Sequence, residues 1–339
     1  MQQINRSYIR YARYAAQAYV LLFLLFAGYR FYLFVEQYEN SGNAQQLTLM
    51  LNDRPASIEG FLPIGALMSL KLWITTGVFD RIHPAGLVIF ISALLMSLIV
   101  KKGFCGWICP VGALSDAFWR LRQQVSKRRF VMNRWVDFAL RSIKYLLMGL
   151  FLYIIIIKMN PIAIESFIEG DYYKIADVKM LYFFTRMSTT TVMSLTMLFV
   201  LSLVYRNFWC RYLCPYGGLL GLLSAFSPLK ITRNEAACIH CKRCSHHCPS
   251  SIQVEQLSRV RTPECTGCLT CVSHCPAKGA LDMAAPGSRV LQPLVFILLV
   301  AVLFFGTLGI GRVAGKWKSA VTGSEYLRII PHTAALEHP

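Results

Sequence analysis

The sequence predicts a mainly α-helical, polytopic membrane protein with about five transmembrane helices and one inserted α+β domain rich in cysteine. Of its 339 residues, 55% are hydrophobic and only 15% are charged, and the mean hydropathy is +0.46. Soluble domains carry about a quarter charged residues. Several apolar runs approach the length of a membrane span. Eight of the twelve cysteines fall between Cys238 and Cys275, in two runs of identical spacing.

Five apolar runs account for the predicted spans, because each approaches the roughly 20 residues that cross a bilayer. The first follows three arginines and lacks a clear cleavage site, so we expect an uncleaved signal anchor. A weaker run at residues 61–78 contains Pro63 and Lys71. We expect an interfacial or re-entrant segment there, with a sixth span as the alternative. The predicted spans cover residues 15–35, 85–100, 142–158, 189–205 and 291–310.

The distribution of charge predicts the orientation. Residues 101–144 carry ten Lys/Arg and two Asp/Glu, and residues 206–289 carry ten and four. Residues 36–84 carry three and five, and residues 159–188 carry three and four. Basic loops stay in the cytoplasm, so five spans place the N-terminus and the inserted domain inside and the C-terminus outside. The predicted domains are a transmembrane domain at 1–227, a cysteine-rich domain at 228–286, and a final span with an extracytoplasmic tail at 287–339.

The net charge of +18 could suggest nucleic acid as a partner. Its concentration in the loops is what a membrane topology requires. No nucleic-acid-binding motif accompanies it. Membrane lipid, rather than nucleic acid, is therefore the expected partner of the basic loops.

The two cysteine runs each have the pattern C-x2-C-x2-C-x3-C-P. The first ferredoxin run extends from Cys238 to Pro249 and the second from Cys265 to Pro276. Zinc ribbons also use C-x2-C pairs, but two identical runs closed by proline are typical of two-cluster [4Fe-4S] ferredoxins, in which the last cysteine of each run ligates the other cluster. The domain's histidines are then expected to be surface residues. The predicted ligands are Cys238, Cys241, Cys244 and Cys275 for cluster 1, and Cys265, Cys268, Cys271 and Cys248 for cluster 2.

A second repeated motif lies at the predicted cytoplasmic ends of the second and fourth spans. The two membrane-edge motifs, Phe104–Leu114 and Trp209–Leu219, both contain C-x3-C-P between aromatic residues. Such a repeat indicates a pseudo-two-fold arrangement, and Trp107 and Tyr212 within it are expected to be interfacial anchors. Three interpretations stay open for the cysteines: a further iron–sulfur cluster or other metal, a redox dithiol or quinone-adjacent element, or small structural residues. These cysteines are Cys105, Cys109, Cys210 and Cys214.

The ordered combination of these motifs resembles the NapH/NosR-type membrane-bound polyferredoxins. The segments IEGFLPIGALMSLK, KKGFCGWICPVGALS, WCRYLCPYG and VRTPECTGCLTCVSHCP carry the resemblance, which covers nearly the whole chain. The resemblance implies electron transfer between the quinol pool and a redox partner at the bacterial cytoplasmic membrane. The chain departs from the NosR pattern because it lacks a large extracytoplasmic flavin-binding domain.

The predicted function is therefore that of an iron–sulfur protein that passes electrons between quinol/quinone and an unidentified redox partner. A redox-sensing or assembly protein, and a membrane anchor for a soluble oxidoreductase, are the alternatives. The expected cofactors are two [4Fe-4S] clusters, with the membrane-edge cysteines as candidates for a further cluster or metal. No haem is expected, since only His83 lies near a span end and no C-x-x-C-H sequence occurs. No nucleotide is expected, since P-loop and G-x-G-x-x-G sequences are absent.

Overall fold

The computed structural model describes residues 6–40, 53–125 and 132–335, and this part of the chain is mostly helical. Residues 126–131 of the predicted basic loop and the last four residues of the predicted tail lie outside the described residues. The helices of the first two thirds of the chain are α1 (Ser7–Asn40), α2 (Pro63–Thr76), α3 (Pro84–Val100), α4 (Pro110–Val125), α5 (Arg134–Leu152), α6 (Pro161–Glu169), α7 (Asp171–Lys174), α8 (Ala176–Thr185), α9 (Thr189–Val204) and α10 (Pro215–Phe226).

The remaining elements belong to the C-terminal third of the chain. They are β1 (Lys230–Arg233), α11 (Arg243–His246), α12 (Thr270–Ser273), β2 (Leu281–Ala284), β3 (Val290–Leu291), α13 (Pro293–Val313) and α14 (Gly323–Ile329). Short π-helical turns occur at Phe104–Ile108, Tyr153–Lys158 and Trp209–Leu213, and 3-10 turns at Ala56–Phe61, Val254–Gln256, Pro286–Ser288 and Ile330–Ala335.

Several helices make the chain a membrane protein. Three segments are long and apolar enough to cross a bilayer: α1, Trp135–Lys158 and α13. A fourth candidate is the pair α8 and α9, whose axes differ by 78° across a short break. Helix α3 is apolar but has only 17 residues, because Lys101 follows it with a φ of 62°, a left-handed conformation that ends a helix. The fifth span stays a prediction that rests on α3, and α2 covers the predicted interfacial or re-entrant segment.

The chain forms two compact units. The first unit comprises residues 1–22, 93–148 and 196–306, and the second comprises residues 23–92, 149–195 and 307–339. All twelve cysteines belong to the first unit. The candidate redox chemistry of the chain therefore lies in one unit.

In the first unit, a hydrophobic core joins the ferredoxin runs to a membrane-edge motif. Buried Phe104 and Trp107 share this core with Leu269 and Val272 of the second ferredoxin run and with Phe296 of α13. An antiparallel sheet of order β1–β2–β3 borders the cysteine-rich domain. Since β1 precedes the first run and β2 follows the second, their pairing brings the two ends of the domain together. Chain ends that lie close together are typical of a domain inserted into another.

The second unit contains a buried cluster of charged side chains. Arg54 donates hydrogen bonds to Asp177 at 2.7 Å and to Glu59 at 2.6 Å, and the Glu59 carboxylate also accepts one from the Gly86 amide at 2.9 Å. His83 lies against this group, 3.0 Å from Arg54. Buried charges are tolerated when they are paired in this way, so the cluster is fully explained by its internal partners.

Lys71 of α2 holds the end of the α5 segment. Its ammonium donates hydrogen bonds to the carbonyl oxygens of Ile155, at 3.0 Å, Ile156, at 2.9 Å, and Met159. The π-helical turn at 153–158 leaves these carbonyls without helical donors. The lysine that interrupts the weak apolar run is therefore a structural cap.

Candidate metal centres

The two ferredoxin runs have the same backbone conformation. In each run the residues on either side of the second cysteine have positive φ: His240 (51°) and Lys242 (58°), then Gly267 (61°) and Leu269 (54°). Lys242 and Leu269 then cap the single-turn helices α11 and α12. The repeated left-handed turns fold each run back on itself and bring its first three cysteines together.

The eight cysteines line two separate cavities, and each cavity takes its fourth cysteine from the other run. Sequence proximity alone does not define either set. Cys275 of the second run lines the first cavity, and Cys248 of the first run lines the second cavity. The first cavity contains Cys238, Cys241, Cys244 and Cys275. The second contains Cys265, Cys268, Cys271 and Cys248. The donor sets, four thiols to a cavity, fit one cubane cluster each.

The surroundings of the two cavities differ. Cys241 and Ile239 beside the first cavity are exposed, Ile239 by 56%. In the second cavity Cys268 and Cys271 are buried, and the Thr270 hydroxyl donates a hydrogen bond to Cys268 Sγ at 3.2 Å. Burial and hydrogen bonds to sulfur influence the reduction potential of a cluster. Clusters in the two sites would therefore differ in reduction potential.

Histidines at equivalent positions join the two runs. His247 and His274, each directly before the fourth cysteine of its run, stack with ring centroids 3.9 Å apart. Each Nδ1 lies 2.9 Å from the carbonyl oxygen four residues earlier. Neither lines a cysteine cavity. The prediction that these histidines are ordinary surface residues is incomplete, because the stacked pair joins the two ferredoxin runs.

The membrane-edge motifs also share one backbone conformation. Each forms a π-helical turn, closed by hydrogen bonds from Cys109 N to Phe104 O at 2.8 Å and from Cys214 N to Trp209 O at 3.0 Å. The proline after each second cysteine then begins α4 or α10, as proline commonly does at a first helical position. The repeat predicted from the sequence is thus a repeat of structure.

Trp107 and Tyr212 are not interfacial anchors, because both are 3% exposed. The Trp107 indole donates a hydrogen bond to the Gly267 carbonyl at 3.1 Å. The Tyr212 hydroxyl donates one to Asp137 at 2.6 Å. These partners could not be predicted from the sequence, because Gly267 is 160 residues from Trp107 and Asp137 is 75 residues from Tyr212.

The first membrane-edge motif lies directly against the second ferredoxin run. A Cβ atom added to Gly106 would lie 2.7 Å from the Thr266 carbonyl oxygen, so only glycine allows this approach. Arg13 of α1 bridges the same contact, donating to the Gly106 carbonyl and to the Thr270 hydroxyl, both at 3.0 Å. The second cavity is consequently the one adjacent to the membrane-edge cysteines.

The four membrane-edge cysteines are partly buried. Burial, with a contribution from neighbouring cysteines, raises the pKa of Cys105 to about 12 and that of Cys109 to about 11. Without a metal these thiols are protonated at neutral pH. Among the described residues, no three His, Cys, Asp or Glu side chains converge closely enough to hold a single metal ion.

A buried ion pair lies beside the second run and was missed by sequence reasoning. Lys144 donates hydrogen bonds to both carboxylate oxygens of Glu264, at 2.8 and 2.7 Å, and Tyr145 donates a third at 2.9 Å. Burial would raise the pKa of Glu264, but the charges of Lys102 and Lys144 outweigh it and hold that pKa below its ordinary value. Glu264 is therefore charged directly before Cys265.

Family models match the cysteine-bearing parts of the chain. A 4Fe-4S binding domain matches residues 82–129 and again residues 188–234, and a 4Fe-4S dicluster domain matches residues 230–276. The first two segments each contain one membrane-edge motif, and the third contains both ferredoxin runs. The fold and sites thus define a membrane-bound iron–sulfur electron-transport protein.

Curated relatives give the particular family. The "Putative electron transport protein YccM" of Escherichia coli K12 is 40% identical over 91% of this chain and 86% of its own length. "Ferredoxin-type protein NapH" of the same organism is 25% identical over 47% of this chain and 51% of its own length. "Methylamine utilization ferredoxin-type protein MauN" of Methylobacillus flagellatus is 26% identical over 54% and 65%. The chain belongs to the NapH/NosR-type family of membrane-bound ferredoxins that includes YccM. No solved structure matches it.

Proposed function

We propose that this protein passes single electrons between the quinol pool and a redox partner of the cytoplasmic membrane, through two [4Fe-4S] clusters. The observation that carries the proposal is the pair of four-cysteine cavities, one of which adjoins a membrane-edge motif. Electrons can pass between membrane and protein surface only along a chain of closely spaced sites. The two cavities, one buried and one bordering solvent, supply such a chain.

The cysteines would hold the clusters crosswise. Cys238, Cys241, Cys244 and Cys275 would ligate cluster 1, and Cys265, Cys268, Cys271 and Cys248 would ligate cluster 2. When bound, each [4Fe-4S] cluster accepts and releases one electron. Oxidation of one quinol releases two electrons and two protons. The two clusters would accept one electron each, and water would accept the protons.

The protein's own residues orient and insulate these sites. The apolar residues Ile231, Ile252, Val254 and Val260 line the second cavity and exclude water from it. Exposed Ile239 and Lys242 border the first cavity, where a partner can approach. The basic cysteine-rich domain, ten Lys/Arg against four Asp/Glu over residues 206–289, favours an anionic cytoplasmic leaflet.

The test is anaerobic reduction of the purified protein by quinols. Duroquinol and a reduced naphthoquinone, which differ in potential, are each added, and the reduced clusters are followed by low-temperature EPR. We expect cluster signals with at least one quinol. Dithionite reduction of the same sample shows that the clusters are intact, and a Cys238→Ser/Cys265→Ser variant provides the cluster-free baseline. Intact clusters that no quinol reduces would overturn the proposal.

A further inference from the structure

We infer that Cys105, Cys109, Cys210 and Cys214 together bind a third, thiolate-ligated iron–sulfur centre, placed beside cluster 2. The inference concerns these four residues alone and does not depend on quinol as the reductant. It stands on three observations: the two motifs meet, the buried lysines Lys102 and Lys144 lie near the meeting point, and the meeting point adjoins the second cavity.

The two motifs meet through side chains that flank the cysteines. The ring of Phe104, next to Cys105, packs edge-on against the ring of Tyr216, two residues after Cys214, with centroids 6.0 Å apart. Lys102 reaches across to the Gly217 carbonyl oxygen at 3.5 Å. Cys210 is in electrostatic contact with the other three cysteines. The four thiols therefore belong to one partly buried site, although they come from segments a hundred residues apart.

Two buried lysines lie near this site, with one buried carboxylate beside them. Lys102 and Lys144 are at most 4% exposed, and Glu264, 6% exposed, pairs with Lys144. Lys102 reaches the carbonyl oxygen of Gly217 at 3.5 Å. Buried positive charge requires a compensating negative charge. A cluster held by four thiolates supplies one, because its thiolates outweigh the charge of its iron–sulfide core.

Lys102 lies near both thiol sets. Its charge acts on Cys105, Cys210 and Cys214 of the membrane-edge site, on Cys265 of the second cavity, and on the Glu264 carboxylate. A single lysine in this position would stabilise anionic centres in both thiol sets.

The donor set favours iron and sulfide over a lone ion. Four thiols without nitrogen or carboxylate ligands select iron–sulfur clusters or zinc. A lone zinc ion needs its thiolates tightly convergent, and no three such side chains converge to that degree among the described residues. The eight ferredoxin cysteines share this wider spacing. Binding would release the four thiol protons to solvent as the metal–sulfur bonds form.

The new centre would exchange electrons with cluster 2 rather than cluster 1. Gly106, which follows Cys105, packs against Thr266 and Cys268, and Trp107 donates its hydrogen bond to Gly267. Both contacts fall inside the loop that lines the second cavity. The order from the membrane edge is thus the four-cysteine site, then cluster 2, then the solvent-bordering cluster 1.

The experiment is an iron and acid-labile sulfide count on anaerobically reconstituted full-length protein. Two [4Fe-4S] clusters account for about eight irons per chain, so we expect more than eight. A Cys105→Ser/Cys214→Ser variant should lose only the excess and keep the EPR signals of clusters 1 and 2. An iron count near eight in fully loaded protein overturns the inference, as does an excess that survives in the variant.

A second variant keeps the inference testable if the serine variant does not fold. Lys102→Met retains all four cysteines and should retain the excess iron, while the reduction potential of the extra centre falls because a nearby positive charge is gone. The control is Lys278→Met, which removes the same net charge at an exposed lysine of the same compact unit. Equal potentials in both variants contradict a centre beside Lys102. Absence of the quinol reaction alone leaves these iron counts unchanged, so the two proposals fail separately.

Discussion

Gly112 and Gly217 occupy the same position in the two membrane-edge motifs, three residues after the second cysteine, yet they have different surroundings. A Cβ at position 112 would lie 2.5 Å from the Cys105 carbonyl oxygen, closer than real Cβ atoms come to backbone. A Cβ at position 217 would come no closer than 3.5 Å to any atom, the nearest being Cys214 Sγ, which is ordinary van der Waals contact. The repeat therefore contains one glycine that its contacts require and one that they do not.

We expect Gly112→Ala to destabilise the protein by about 1–3 kcal/mol, because the backbone of the first motif must shift. Gly217→Ala should be neutral or stabilising by up to about 1 kcal/mol, because alanine favours the helix. Unfolding by SDS in mixed micelles, followed by tryptophan fluorescence, measures both. Equal effects of the two substitutions would show that the 2.5 Å contact does not constrain the fold.

The crossed ligand sets can be tested with paired serine substitutions. Cys248→Ser/Cys265→Ser removes two ligands of the same proposed cluster, so about half of the iron bound to the ferredoxin runs should remain. Cys238→Ser/Cys265→Ser removes one ligand from each cluster, so both should be lost. Iron counts with EPR distinguish the outcomes. If each run instead held its own cluster, the first variant would lose both clusters.

At the scale of elements, the cap that Lys71 places on the α5 segment decides whether the π turn is stable. Lys71→Met leaves three carbonyl oxygens without their donor, and we expect a loss of about 1–3 kcal/mol. Lys158→Met, an exposed lysine of the same turn, should change stability by less than about 0.5 kcal/mol. The SDS midpoints of both variants check this. A neutral Lys71→Met would mean that water or lipid headgroups satisfy these carbonyls.

The elements whose signal is local could be predicted from the sequence. Apolar runs predicted the positions of α9 and α13 closely and the central part of the longer α1, and cysteine spacing predicted two runs, which share one backbone conformation. The π-helical turns were not predicted, because an i→i−5 bond leaves no residue pattern of its own. The roles of Lys102 and Glu264 were missed for a different reason. Their partners, Gly217 and Lys144, are more than a hundred residues away, and only the fold brings them together.

At the scale of the whole molecule, the exposed corner at cluster 1 sets which partners can exchange electrons. Exposed Lys242 and Arg243 border Cys241, so an anionic partner should be favoured. Lys242→Glu/Arg243→Glu should slow oxidation of the reduced protein by ferricyanide on the order of tenfold at low salt, and accelerate oxidation by hexaammineruthenium(III).

The matched control for this corner is Arg261→Glu/Arg289→Glu, which makes the same change in net charge at two other exposed arginines. Stopped-flow absorbance gives the rates, and the difference should shrink near 0.1 M salt, where the Debye length is about 10 Å. Equal slowing in both variants would show that net charge causes the effect. Electrons would then not leave the protein specifically at the surface of Lys242 and Arg243.

The number of spans fixes which side of the membrane receives each end of the chain. Helix α3 has 17 residues and is the predicted span that is shorter than a typical bilayer-crossing helix and has no bent partner helix, and counting it or omitting it reverses the C-terminus. With five spans, alkaline phosphatase fused after Pro339 should be active and green fluorescent protein dark. Fusions after Gln124, near the end of α4 and within the predicted basic loop 101–144, should give the opposite pattern. A fluorescent C-terminal fusion would require an even number of spans, and the tail would then share the compartment of the iron–sulfur sites.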